Sequence, residues 1–124
     1  MAFRCSFRAV GFPWPGEGGG ATFENVSATA IANVYFEGKV VSHSLTLADG
    51  EQITLGLIYP GEYHFATESA ERMEITAGQC SVVQDGGKEP LIYFQGEHFE
   101  VSENSGFTIS VAEGICQYVC TFLT

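Results

Sequence analysis

The chain has 124 residues, of which 45% are hydrophobic and only 16% are charged, a composition that fits one globular domain and excludes disorder. Fifteen acidic residues against five basic ones give a formal net charge of −10, which argues against nucleic acid polymers and anionic membranes as partners. A small anionic ligand is still compatible, because a local group of donors can oppose the field of the whole molecule.

The first 22 residues differ from the rest of the chain. They hold two of the five basic residues, the only Trp and a glycine-rich run, without a period that would predict a strand or a helix. Pro13-Trp14-Pro15 stands where a signal peptide would have its small-residue cleavage site, so we expect no signal peptide and a cytoplasmic protein. We interpret residues 1–22 as a flexible leader and residues 23–124 as the folded domain. The alternative is a β-arm that pairs with a partner chain.

The strand signal begins at Asn33 and continues to the end of the chain. The predicted strands cover residues 33–36, 39–47, 52–59, 62–67, 72–76, 79–84, 91–94, 98–101, 107–111 and 117–123. Residues 39–47 alternate, so that Val41 and Leu45 face one way and Val40 and Ser42 the other.

Turn residues separate these strands, as at Asp49-Gly50 and Pro60-Gly61. Strands at intervals of about 8–12 residues, with no credible helix between them, are typical of a sandwich or barrel. The sequence therefore predicts an all-β, single-domain jelly roll, closed on itself, with a pocket between its two sheets.

The four cysteines are Cys5, Cys80, Cys116 and Cys120, and none of them forms a C-x-x-C pair. Cys116 and Cys120 share one face of a strand but stand roughly 13 Å apart, too far to bridge. We expect buried free thiols in a reducing compartment.

The stretch from Gly56 to Gly78 has the spacing of a known motif. Gly56 is followed by five residues, then Glu62-Tyr63-His64, then Glu71, six residues and Gly78. This frame resembles the first motif of the cupins, small jelly rolls that often hold a metal. The second cupin motif is altered, with Phe107 where a His ligand is usual, so His64 and Glu71 alone are left as candidate ligands.

A longer ordered pattern gives a closer resemblance, over residues 33–123. Its pieces are Tyr35 to Ser42, Asp49-Gly50, Thr54-Leu55-Gly56, Pro60 to Thr67, Glu71-x-Met73, Gly78, Gly96-x-x-Phe99-x-Val101, Asn104-Ser105-x-Phe107 and Tyr118-x-Cys120. The chain resembles the small cupin-type pyrimidine/purine nucleoside phosphorylases of bacteria. Ser102, where Pro is usual, departs from the pattern.

The resemblance implies an enzyme that cleaves purine and pyrimidine nucleosides with inorganic phosphate, giving the free base and ribose 1-phosphate. It further implies a homodimer that needs no metal or other cofactor. Such a reaction passes through a sugar with oxocarbenium character, so its site must hold phosphate, stabilise positive charge and help the base to leave.

Three residues are candidates for catalysis. Glu62 and Glu71 can accept hydrogen bonds from ribose hydroxyls or stabilise the cationic sugar, and His64 can protonate the leaving base. The alternatives are structural: the two carboxylates pair with Arg72 or cap a turn, and His64 only packs on its strand.

The candidates for substrate and phosphate binding are Lys39, Thr67, Arg72, Ser105 and Tyr118. Lys39 and Arg72 supply cations, and Thr67 and Ser105 supply hydroxyl donors. Tyr118 offers a ring on which a base can stack. The alternatives are a salt-bridged rim for the cations, turn stabilisation for the hydroxyls and core packing for the tyrosine.

Two other functions share the predicted fold. One is a non-catalytic sensor that binds a small ligand in the same pocket, and the other is a metal-dependent cupin enzyme. Binding of a nucleoside without turnover favours the sensor, and a stoichiometric metal in the purified protein favours the metalloenzyme.

Overall fold

The computed structural model describes residues 21–123, so nearly all of the predicted leader lies outside the described residues. Within them the chain forms eleven strands. These are β1 (Ser27–Ala28), β2 (Asn33–Tyr35), β3 (Val40–Thr46), β4 (Gln52–Ile58), β5 (Gly61–Ala66), β6 (Ala70–Ala77), β7 (Gln79–Gln84), β8 (Leu91–Phe94), β9 (His98–Val101), β10 (Gly106–Val111) and β11 (Cys116–Leu123). A single turn of 3-10 type, Phe36–Gly38, joins β2 to β3.

The strands form two antiparallel sheets. The larger sheet has the order β9-β6-β11-β4-β3-β1, with β2 also paired to β3, and the smaller sheet has the order β5-β10-β7-β8. From β4 onward the chain passes repeatedly from one sheet to the other. The all-β jelly roll predicted from the sequence is confirmed, but the two sheets form an open sandwich and not a barrel closed on itself.

The strand bounds lie within about two residues of the predicted ones. Two local features differ. The short strand Ser27–Ala28 is not predicted, because residues 23–32 lack alternation. Phe36, predicted to end a strand, instead begins the 3-10 turn.

The main core lies between the two sheets and takes alternate residues from most of the longer strands. Its fully buried side chains include Ile58 and Ile75 from the larger sheet and Phe107 and Ile109 from the smaller one. Alternation on β3 divides its residues as predicted, with Val40 and Ser42 buried on the inner face and His43 exposed between Ser42 and Ser44.

A second apolar cluster covers the outer face of the larger sheet. Leu45, Ile53 and Val119 are buried there against partly buried side chains that include Phe23 and Val26. Both faces of the middle strands of this sheet are therefore packed.

Cys80, Cys116 and Cys120 are buried free thiols, as predicted, and Cys5 lies outside the described residues. A hydrogen bond to Cys116, together with burial, raises the pKa of Cys80, which therefore stays protonated. Among residues 21–123, no helix is long and apolar enough to cross a membrane.

Candidate active site

A cavity of about 370 Å³ opens between the two sheets, where β2 and the 3-10 turn meet β5. This volume is in the range of small-ligand sites. Both sheets contribute to its lining. The lining residues are Tyr35, Phe36, Ser42, Thr54, His64, Phe65, Ala66, Glu71, Met73, Phe107, Tyr118, Cys120 and Phe122.

The larger sheet gives the cavity a polar wall, whose first row crosses three neighbouring strands. Ser42 on β3 is paired with Gly56 on β4, and Gly56 is paired with Tyr118 on β11. A Cβ at position 56 would lie 2.2 Å from Cζ of Tyr118, so the tyrosine ring lies across the strand where a side chain is missing. The Tyr118 hydroxyl thereby reaches a hydrogen bond with Ser42, while burial raises the pKa of the phenol.

A hydrogen bond from outside the cavity supports this row. The side-chain amide of Asn33 donates to the hydroxyls of Ser42, at 3.2 Å, and Ser44, at 3.0 Å. Asn33 thus orients the serine that meets Tyr118.

The second row of the polar wall contains Thr54, Cys120 and Glu71. Cys120 is paired with Thr54 on one side and with Met73 on the other, and it shares hydrogen bonds with both Thr54 and Glu71. Burial raises the pKa of the Glu71 carboxyl, and the hydrogen bond with Cys120 opposes that shift. Burial and the adjacent charge of Glu71 raise the pKa of the Cys120 thiol, so the thiol stays protonated and donates to the carboxylate.

The smaller sheet and the 3-10 turn give the cavity an aromatic wall. Phe65 on β5 is paired with Phe107 on β10, and their rings stack with centroids 5.5 Å apart. Phe36 packs edge-on against Phe65, with centroids 5.6 Å apart, and tilts against Tyr63 at 5.0 Å. A row of rings therefore faces the hydroxyl, thiol and carboxyl groups of the larger sheet.

A hydrogen-bonded pair, His64 and Asp85, lies at the edge of the cavity. Nε2 of His64 is 3.0 Å from both carboxylate oxygens of Asp85, and both side chains are about half exposed. Gly106 makes room for the pair, because a Cβ there would lie 2.6 Å from Oδ2 of Asp85 and 3.0 Å from Nε2 of His64. His64 is the one cavity-lining residue in the described chain that can carry a positive charge.

Three of the predicted site residues, His64, Glu71 and Tyr118, come together at the cavity. Glu62 and Arg72 do not line it. Both are exposed, and each is adjacent in its strand to a residue that faces inward, Tyr63 or Glu71. Alternation therefore directs Arg72 away from the space between the sheets. Glu62 shares its strand face with His64, but only His64 and Ala66, further along that face, reach the edge of the cavity.

The other predicted residues also lie outside the cavity. Thr67 is buried, and its hydroxyl donates to the carbonyl of Ser102 at 2.6 Å and accepts from the backbone N–H of Ser105 at 2.9 Å. These bonds join two loops. Lys39 is exposed just after the 3-10 turn, and its backbone N–H donates to the carbonyl of Phe36.

No group of three His, Cys, Asp or Glu side chains in residues 21–123 has the arrangement of a metal site. His64 and Glu71, the two ligands that the cupin frame leaves, both border the cavity. Phe107 occupies the position of a third ligand, and its ring is part of the aromatic wall.

A sequence model of the pyrimidine/purine nucleoside phosphorylase family matches residues 30–122. The chain belongs to this family. A pyrimidine/purine nucleoside phosphorylase of Citrifermentans bemidjiense is 50% identical over 101 residues, which are 82% of this chain and 97% of the relative. One of Paraburkholderia xenovorans is 46% identical and covers 82% of this chain and 94% of the relative. The resemblance predicted from the sequence is confirmed.

Two solved structures share the fold and about a third of the aligned residues. A protein of unknown function from Acinetobacter sp. ADP1 matches with a TM-score of 0.78 and 37% identity, over 82% of this chain and 98% of that chain. A protein of unknown function from Vibrio parahaemolyticus matches with a TM-score of 0.73 and 34% identity, over 78% of this chain and 99% of that chain.

Several residues of the cavity wall were not among the predicted site residues. Ser42, Thr54, Phe107 and Cys120 all stand inside the family pattern, and Cys120 follows Tyr118 by two residues, on the same strand face. The family pattern, together with strand alternation, is a signal that could have identified these four residues as part of the site. Asp85 had no such signal, because Asp85-Gly86-Gly87 has the composition of an ordinary turn.

Proposed function

We propose that the chain is a nucleoside phosphorylase whose active site is the cavity between the sheets. It cleaves purine and pyrimidine nucleosides with inorganic phosphate to the free base and ribose 1-phosphate. The observation that carries the proposal is the pairing of an aromatic wall with a polar wall that contains a partly buried carboxylate. Family membership and the names of the relatives support the same reaction.

The reaction breaks the bond between C1′ of the ribose and a ring nitrogen of the base, and its electron pair goes to the base. An oxygen of phosphate forms the new bond to C1′, and the base nitrogen takes up a proton. Positive charge develops on the sugar between these events, so a carboxylate beside the ribose stabilises the transition state. Glu71 is suited to this role, because its carboxyl lines the cavity and the hydrogen bond from the Cys120 thiol holds it in place and favours its ionised form.

The other polar groups of the cavity suit the sugar and the leaving base. Ser42, Thr54 and Tyr118 carry hydroxyls that both donate and accept, so they can bond to ribose hydroxyls without selecting one base. His64 can supply a proton or a positive charge at the edge of the cavity. We propose His64 as a partner of phosphate, since no Lys or Arg in the described chain lines the cavity.

The roles of the other predicted site residues are still predictions from the sequence. Lys39 lies beside the 3-10 turn at the cavity mouth and is the better placed of the two predicted cations. Glu62, Thr67, Arg72 and Ser105 lie off the cavity wall, so any role in binding phosphate or ribose would require a site outside it.

We also propose a cytoplasmic, metal-independent homodimer, as the family resemblance implies. Gel filtration with light scattering tests the dimer, and a mass near 27 kDa is expected from a chain of 13.4 kDa. Prolonged treatment with a chelator tests metal independence and should leave the rate unchanged.

The test of the activity is phosphate-dependent release of base. Purified protein is incubated with adenosine or uridine, with and without inorganic phosphate, and the products are separated by chromatography. We expect adenine and uracil together with ribose 1-phosphate, only when phosphate is present. Failure to release base from any common nucleoside would contradict the proposal, and binding without turnover would favour a ligand sensor.

A further inference from the structure

The turn that joins β2 to β3 has an unusual backbone. Phe36, Glu37 and Gly38 have φ values of +52°, +58° and +92°, so three successive residues are left-handed. The turn is closed by a hydrogen bond of 3.2 Å from the N–H of Lys39 to the carbonyl of Phe36. Glycine adopts this conformation freely, but a bulky residue such as Phe rarely does, and such outliers gather at ligand sites.

The packing of Phe36 does not account for this backbone. The ring contacts Tyr63 and Phe65 on β5, the edge strand of the smaller sheet. It is nevertheless 43% exposed, and it lines the cavity. A side chain held mainly for core packing would be buried, whereas this one keeps part of its surface open at the mouth of the cavity.

We infer that Phe36 is the residue on which the nucleoside base stacks, an inference that rests on the proposed function. The ring stands at the mouth with Phe65 beside it and Phe107 beyond, whereas the hydroxyl and carboxyl groups that can bond to ribose lie on the opposite wall. A base therefore fits against the aromatic wall with its sugar turned toward Glu71. Stacking uses the flat face that purines and pyrimidines share, so one ring serves both classes.

The experiment compares two substitutions of Phe36 by measuring ligand affinity under conditions in which no reaction takes place. Phe36→Leu keeps an apolar side chain and removes the flat ring, and Phe36→Trp keeps a ring. Val34→Ala is the matched control, because Val34 is exposed on the adjacent strand and does not line the cavity. Calorimetry measures the dissociation constants of adenosine and uridine in the absence of phosphate, and of ribose 1-phosphate, which has no base.

For Phe36→Leu we expect adenosine and uridine each to bind about tenfold more weakly, as the loss of one stacking contact predicts. Phe36→Trp and Val34→Ala should bind both nucleosides within about twofold of the wild-type chain. Ribose 1-phosphate should bind equally to all of them. Thermal melting of each variant shows that a weaker affinity does not come from unfolding.

Three results would overturn the inference. The first is wild-type affinity for both nucleosides in Phe36→Leu. The second is an equal loss for ribose 1-phosphate, which would mean that the sugar and not the base lies on Phe36. The third is a wild-type chain that binds no nucleoside.

The proposed function and the stacking site can fail independently of each other. If the wild-type chain binds nucleosides through Phe36 but releases no base with phosphate, phosphorolysis is wrong and the stacking site stands. If base is released but Phe36→Leu binds and turns over like the wild-type chain, the stacking site is wrong and phosphorolysis stands.

Discussion

The two walls of the cavity are built in different ways. The aromatic wall consists of rings that pack on one another and on the core, and Phe107 is among the most buried side chains of the described chain. The polar wall consists of hydrogen-bonded hydroxyl and thiol groups and one carboxylate, whose charged form burial disfavours. Stability and ligand binding therefore coincide on the smaller sheet, whereas on the larger sheet the charge of Glu71, which is suited to chemistry, costs stability.

The largest effect is expected at the carboxylate of the polar wall. Glu71→Gln should lower kcat about a hundredfold or more, because the charge that faces the cationic sugar is lost. Glu74→Gln, on the outer face of the same strand, is the matched control and should keep wild-type activity.

The same Glu71→Gln variant should be more stable than the wild-type chain at neutral pH. Burial raises the pKa of Glu71 above its ordinary 4.5, so the folded state holds this proton more tightly than the unfolded state. The contribution of the group to stability therefore falls as pH rises from about 4.5 through the raised pKa. Melting temperatures at pH 7 measure the difference, and a less stable Glu71→Gln would mean that the carboxylate has a structural role instead.

The next effect tests how the polar wall is assembled. Gly56→Ala places a Cβ against the ring of Tyr118, which is buried and has little room to move. We expect a loss of stability of about 3 kcal/mol and a large loss of activity. In a Tyr118→Ala background the same change should cost much less, which a double-mutant cycle by denaturant unfolding would show. Equal costs in both backgrounds would exclude the contact as the cause.

A smaller effect is expected from the thiol that supports the carboxylate. Cys120→Ala removes the hydrogen bond that opposes the raised pKa of Glu71, so that pKa should rise further. The acid limb of the pH–rate profile should move to higher pH, with kcat at neutral pH reduced by up to about tenfold. Cys120→Ser keeps a donor and should restore the wild-type profile. Identical profiles for the alanine and serine variants would contradict this role.

The smallest effect is expected outside both walls. Arg72 lies on the opposite face of β6 from Glu71, so Arg72→Ala should leave the KM for nucleoside within about twofold of the wild-type value. The KM for phosphate in the same variant shows whether phosphate binds at Arg72 or inside the cavity. A raised value would support the role predicted from the sequence, and an unchanged value would support a phosphate site inside the cavity.

The sequence predicts the fold well because its main signals are local. Turn residues and period-2 alternation locate ten of the eleven strands, and alternation on β3 correctly places Val40 and Ser42 on one face. It does not say which face is inward, since both faces of that strand carry apolar residues. The short β1, which depends on pairing with β3, has no signal of its own.

The site is less predictable, because it depends on which strands become neighbours. Glu71 and Arg72 are adjacent in sequence, and only the pairing of β6 with β11 gives the first to the cavity and the second to the outer face. Phe36 was predicted as part of a strand, because a left-handed backbone at a phenylalanine cannot be read from residue type. Asp85 meets His64 only because Gly106 leaves space between them.

The most direct test of the cavity as the active site is a crystal structure of Glu71→Gln with uridine and inorganic phosphate. The substitution should slow the reaction enough to keep both substrates intact. We predict density for uracil against Phe36, with the ribose turned toward Ser42 and Tyr118 and phosphate in the same cavity. Uridine bound outside the cavity, with the space between the walls empty, would contradict the account.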